Sequence, residues 1–355
     1  MQLFTVKTIF KLIVKYQRRF NHILSVTGNT PVEVDWISFK KLNHLNYKNY
    51  TMKRNHLFLV FIAFAALCFS QTVSAQANSL SSDPVVRTVE DGGTGSFSAI
   101  MYTDNSLSTH TIFRPKNLNP FDKQNGLPII VWGNGACANS PSGHINFLSE
   151  VASHGFLVIA IGPMPQEGQS GGGKSTSSQM TDAINWAIAQ NNDKNSPFYN
   201  KLNVSKIAVS GMSCGGLQAI EIAPDPRVTT AVICNSGIMI NPVNGFPGMP
   251  AITKDYLQKF HTPTLYILGG VIDIAYGNGM DDFNHINHVP VFVANMEVGH
   301  GGTYGQPHGG EFAIVATAWF KWQLKGDNEA GKLFTGNPCG LSQNPLWKIE
   351  KKKIP

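Results

Sequence analysis

The chain has 355 residues with 28 Lys and Arg, 22 Asp and Glu and a formal charge of +6, enough length for one large or two small domains. The excess charge is local. Residues 1–77 carry ten of the basic and two of the acidic residues, so the remainder holds 18 and 20, a net of −2. That balance removes the electrostatic case for a nucleic-acid partner.

Residues 1–51 are rich in Lys, Asn and Tyr and show no clear helix caps; they read as a spurious upstream extension in front of Met52. Met52-Lys53-Arg54-Asn55-His56 makes a basic start, residues 57–69 an apolar run of 13, and Ala75-Gln76-Ala77 an A-x-A cleavage site. That order defines a secretory signal peptide over 52–77, with a run too short for a membrane span. The expected location is secreted or periplasmic, with cleavage after Ala75 or Ala77 and no stable membrane insertion afterwards. Bulky Leu67 before Cys68 argues against lipid attachment there.

From residue 84 to 340 strands and helices alternate, and this span is expected to be a single catalytic domain, followed by a basic C-terminal tail over 341–355. Strands are expected near 96–103, 109–114, 128–132, 155–161, 205–210, 229–234, 263–268 and 290–295. Ile129-Ile130-Val131-Trp132 and the run from Phe156 to Ile161 are apolar without alternation, as in parallel strands covered on both faces. Helices are expected near 144–153, 177–191, 215–222, 252–260 and 310–325; Met180, Ala183, Ile184, Ala187 and Ile188 share one face of the second. The pattern predicts an α/β fold: a doubly wound, mostly parallel sheet of about eight strands with helices on both faces and little or no cap. No helix separates the first two strands, which predicts an antiparallel hairpin at one edge.

Four cysteines lie beyond the leader: Cys137, Cys214, Cys234 and Cys339. They allow three pairings. Sheet order mildly favours Cys214 with Cys234, and free buried thiols are the alternative. No C-x-x-C motif points to zinc or redox chemistry, and no cofactor or metal is expected.

The chemistry concentrates at Gly211-Met212-Ser213-Cys214-Gly215-Gly216, a Gly-x-Ser-x-Gly elbow between an apolar run and a small-residue helix start. Such a turn holds the serine hydroxyl out at a helix N-terminus. A nucleophile needs a base and a group that orients it. Asp273 follows the strand Thr264-Leu265-Tyr266-Ile267-Leu268, and His300 follows the strand of residues 291–295 within Gly299-His300-Gly301-Gly302. Ser213, Asp273 and His300 therefore occur in the order expected of loops at the carboxyl ends of successive strands. Asp281 and Asp282 are alternative acids, and His308 is an alternative base. The expected oxyanion donors are the backbone N–H groups of Cys214 and of Ala136, in the loop Gly133-Asn134-Gly135-Ala136-Cys137. His285 and His288 form H-x-x-H without a third ligand and read as surface residues.

These motifs, with Asp273-Ile274-Ala275-Tyr276 and Gly301-Gly302-Thr303-Tyr304, resemble the α/β-hydrolase superfamily. Within it they are similar to small secreted serine esterases: dienelactone-hydrolase-like, cutinase-like and polyester-hydrolase-like, and platelet-activating-factor-acetylhydrolase-like enzymes. The resemblance spans roughly residues 95–325 and implies a lidless or lightly lidded carboxylesterase acting on small-molecule or polymeric esters. Dienelactone hydrolases place a cysteine where Ser213 stands, and polyester hydrolases usually place an aromatic where Ala136 stands.

Residues 168–175 also satisfy the P-loop pattern G-x-x-x-x-G-K-S. Pro163 and Pro165 separate it from its strand, and no strand ends in a matching aspartate. A flexible Gly/Ser loop is the preferred reading. The remaining alternatives are a peptidase or amidase using the same three residues, and a non-catalytic binding protein on a hydrolase fold.

Overall fold

In a computed structural model, the described residues are 85–164, 172–241 and 246–355. The expected extension (1–51), the signal peptide (52–77) and residues 168–171 of the P-loop pattern lie outside them. Among the described residues, nine strands form one sheet in the order β1-β2-β4-β3-β5-β6-β7-β8-β9. They are β1 Ala99–Tyr102, β2 His110–Pro115, β3 Leu127–Gly133, β4 Leu157–Ile161, β5 Leu202–Met212, β6 Val228–Cys234, β7 Thr264–Leu268, β8 Val291–Asn295 and β9 Lys348–Lys352. β1 and β2 form the antiparallel edge, β2 meets β4 antiparallel, and β4, β3, β5, β6, β7 and β8 run parallel.

The helices are α1 Ile145–Ser153, α2 Ser178–Asn192, α3 Cys214–Ile222, α4 Tyr276–His285, α5 Gly310–Lys325 and α6 Asn328–Gly331. Successive strand residues point to opposite faces, so each strand feeds two cores. Val131, Val209, Ile233 and Tyr266 pack with Met180 and Ile184 of α2, Leu217 and Ile220 of α3 and Phe283 of α4. Ile130, Ala208, Val232, Leu265 and Phe292 pack with Phe147 and Val151 of α1 and Phe312, Trp319 and Phe320 of α5. β3, β4, β7 and β8 are buried on both faces along their whole length, which is why they read as largely apolar runs.

All eight expected strands form, within a few residues of their expected limits. The ninth lies in the stretch read as a basic tail. Lys-Ile-Glu-Lys-Lys carries no clear apolar alternation; it becomes a strand because β8 offers an open edge, with Val291 opposite Lys352 and Asn295 opposite Lys348. Buried Trp347 and Ile354 anchor its two ends. The expected helix 252–260 is a 3₁₀ segment, Lys254–Lys259. α4 was not expected, because Gly277, Gly279 and Asn278 are poor helix formers. Tertiary contacts hold it: buried Asp282 accepts from Lys254 Nζ (2.6 Å), the Ile238 N–H (2.9 Å) and the Tyr266 hydroxyl (3.1 Å).

Candidate active site

The elbow is built by close backbone approach. Ser213 sits between β5 and α3 at φ 54°, ψ −118°, a conformation that costs an L-residue and concentrates at functional turns. A Cβ at Gly211 would collide with the carbonyl of Gly215, and one at Gly215 with the carbonyl of Gly133. The two glycines let the elbow lie against the end of β3. Three bonds then pin the turn: the Ser213 N–H donates to Cys234 O (3.0 Å), the Gly215 N–H to Asn134 O (3.0 Å), and Ser236 Oγ to Ser213 O (2.7 Å).

Ser213, His300 and Asp273 come together in one line. His300 Nδ1–H donates to Asp273 Oδ1 at 2.6 Å, leaving Nε2 to accept from Ser213 Oγ at 3.0 Å. The serine and the imidazole are part-exposed, whereas the Asp273 side chain is fully buried. Burial alone would raise the Asp273 pKa. Hydrogen bonds from His300, the Ala275 N–H, Asn235 and the Gly269 N–H outweigh it and hold the carboxyl below its ordinary value. The buried acid therefore stays ionised.

The two residues expected to donate to an oxyanion, Cys214 and Ala136, lie at the start of α3 and in the turn that follows β3. Cys214 opens α3, so its N–H is one of the four that a helix leaves without an intrahelical acceptor. Ala136 and Cys137 lie in the facing 3₁₀ turn Gly135–Cys137 with consecutive left-handed φ values of 54° and 49°. Lys174 Nζ and the Ser175 N–H hold that turn through Ala136 O and Cys137 O, each at 2.8 Å. Asn134 Nδ2 adds bonds to Ala138 O (2.9 Å) and Ile161 O (2.7 Å).

A disulfide between Cys137 and Cys214 joins the two loops directly. This corrects the preference for Cys214 with Cys234. Cys234 stands opposite Met212 in the sheet register, and the chain turns at Ser213 before reaching Cys214, which faces the β3 loop instead. Cys234 and Cys339 are buried free thiols, and burial pushes the Cys234 thiol up to about 12.

The alternative residues lie elsewhere. His308 faces Glu90 and Glu150, each at 3.6 Å. Asp281 pairs with Lys254 at 2.9 Å. Asp282 belongs to the α4 contact described above, where burial pushes its carboxyl up to about 6. His285 Nδ1 meets Asp281 O, and His288 Nε2 meets Phe260 O. Of the P-loop pattern, Lys174 holds the Gly135–Cys137 turn and buried Ser175 accepts from Gln218 Nε2 (3.1 Å). The sequence reading missed Asn235, which donates to Asp273 Oδ2 at 2.8 Å, and Tyr304, which donates to Asn235. The available signal was position alone, because Asn235 directly follows β6 at the carboxyl edge of the sheet.

The strand order and the elbow at the carboxyl end of β5 define an α/β-hydrolase. Residues 83–239 match the family model for PETase, described as PET hydrolase-like. The chain accordingly has the α/β-hydrolase fold and is an ester hydrolase of the carboxylesterase type, similar over those residues to PET hydrolases, a family that acts on small-molecule or polymeric esters. Comparison with curated proteins gives no match.

Proposed function

We propose that this chain is an exported serine esterase that cleaves carboxylic esters through an acyl-enzyme on Ser213. One observation carries the reading: the continuous hydrogen-bonded line from Ser213 Oγ through His300 to buried Asp273, at 3.0 and 2.6 Å. His300 Nε2 takes the hydroxyl proton as Oγ attacks the ester carbonyl, and Asp273 holds the tautomer and stabilises the imidazolium. The N–H groups of Cys214 and Ala136 receive the charge that develops on the carbonyl oxygen. His300 returns the proton to the leaving alcohol. Water then repeats the sequence on the acyl-serine and frees the acid.

The rim supports an apolar ester. Val271, Ile272 and Ile274, on the Asp273 loop, are 69, 71 and 81 % exposed. Three large apolar side chains held in water beside the site favour substrates that cover them. The test is a panel of p-nitrophenyl esters of rising acyl length, with a polyester film and a peptide beside it. Ester cleavage is expected, with a phosphonate probe bound to Ser213 and no peptide cleavage. Peptide turnover above ester turnover would assign a peptidase, and stabilisation by ATP without ester turnover would assign nucleotide binding.

Export has two supports: the basic, apolar and A-x-A order of residues 52–77, and a disulfide that persists in oxidising compartments. N-terminal sequencing of protein from the medium or periplasm is expected to begin near Gln76 or Asn78. A retained leader on cytoplasmic protein would refute export.

A further inference from the structure

The geometry points to Asn235 and Tyr304 as positioning residues: a buried brace that fixes the Asp273 carboxylate and the His300 loop in one register. The inference rests on the roles proposed above for Ser213, His300 and Asp273.

Asp273 accepts four hydrogen bonds, two on each oxygen. Oδ1 takes His300 Nδ1 (2.6 Å) and the Ala275 N–H (2.9 Å); Oδ2 takes Asn235 Nδ2 (2.8 Å) and the Gly269 N–H (3.0 Å). Two of these donors belong to the backbone of the acid's own loop. Asn235 directly follows β6 and ties that loop to the end of the strand. The same amide nitrogen reaches Gly299 O at 3.3 Å, the residue before His300. One side chain therefore touches both the acid and the loop that carries the base.

The amide can face only one way. An ionised carboxylate only accepts, so the NH₂ must face Asp273 and Oδ1 must face away. The Tyr304 hydroxyl donates to that Oδ1 at 2.5 Å and locks the choice. Tyr304 lies four residues beyond His300, and its ring is wedged against Trp132, His144, Phe147 and Phe312. A phenol held on four sides makes a rigid donor.

Packing alone does not account for this. Asn235 is completely buried and holds φ at 43°. A buried amide carries a desolvation penalty that an aliphatic side chain of similar size would avoid. Its hydrogen bonds are what make the residue worth burying, and they converge on the acid. By restricting rotation of the carboxylate, the brace keeps an Oδ1 lone pair along the His300 Nδ1–H direction.

Tyr304→Phe removes the hydroxyl and keeps the ring; Asn235→Ala removes the amide. Both are assayed for kcat and KM on one p-nitrophenyl ester, and for Tm. A lost neutral hydrogen bond corresponds to about a tenfold fall in kcat for Tyr304→Phe, and a lost bond to a charged group to about fiftyfold for Asn235→Ala. KM should stay near wild type, while the Tyr304→Phe Tm should fall by only a few degrees as the buried Asn235 Oδ1 loses its donor. The double variant should be no worse than Asn235→Ala, because both act through one amide. In an Asp273→Ala background, Tyr304→Phe should have no further effect on residual turnover, which a purely structural role would not produce. If Tyr304→Phe keeps wild-type kcat, or still lowers turnover without Asp273, the brace is refuted. Tyr304→Phe decides the matter if Asn235→Ala fails to fold. Ser213→Ala is run in parallel: full activity there would overturn the esterase reading itself, whereas its loss beside an unaffected Tyr304→Phe would overturn the brace alone.

Discussion

Ser213→Ala is expected to lower kcat for ester hydrolysis by roughly 10³-fold or more, leaving only the background from binding and the oxyanion donors. The fold should survive. The bonds that pin the elbow use the Ser213 N–H and carbonyl, which alanine keeps, and the hydroxyl's partner is the part-exposed His300. Turnover of a p-nitrophenyl ester, with circular dichroism and Tm as controls, measures both. Labelling by a phosphonate probe should vanish in the same variant. Full activity would remove Ser213 from the chemistry and leave the hydrogen-bonded line without a function.

His300→Ala should cripple turnover to a similar degree, because the serine then has no base, whereas His308→Ala should leave it near wild type. His308 faces Glu90 and Glu150, not the elbow. The acids give a second contrast. Asp273→Asn should lower kcat by about 10³- to 10⁴-fold, since an amide can present the wrong partner to Nδ1–H and misassign the tautomer. Asp281→Asn, on a half-exposed pair with Lys254, should do little. Asp282→Asn should disturb α4 and Tm ahead of the chemistry. The acid's pH behaviour follows from its hydrogen bonds. They depress its pKa, so protonation of Asp273 should begin only below the ordinary carboxylate range. Asp273 should therefore stay ionised, and contribute no loss of activity, at mildly acid pH. A crippling His308 or Asp281 variant would reassign the residues while leaving an esterase.

The parts legible in the sequence were those written locally. β3 to β8 are short β-branched runs bounded by turn residues, and Gly211 to Gly216 carry the elbow because backbone contact there permits only glycine. Asp273 and His300, which the structure brings into hydrogen-bond contact, were legible as candidates because each lies in the loop leaving the carboxyl end of a strand. What was hidden depends on partners far away in sequence. β9 is strand-like only because β8 has an open edge, and α4 is helical despite its glycines because Lys254, Ile238 and Tyr266 converge on Asp282. Asn235 and Tyr304 are 69 residues apart, and no periodicity connects them. Cys214 was assigned to a neighbouring strand because sheet order ignores the turn of direction at Ser213.

The bond between Cys137 and Cys214 also acts where there is no active site at all, in the unfolded chain. It closes a loop across a sequence separation of 77, and chain-entropy reasoning puts the resulting stabilisation at about 4.5 kcal/mol, through the disorder it denies to the denatured ensemble. A heat-unfolded molecule that keeps this link still holds the β3 loop and the elbow within a few bonds of each other, and refolding begins with that search already completed. Releasing the bond would cost this denatured-state term, while the hydrogen bonds of Lys174, Ser175 and Asn134 would still hold the folded turn.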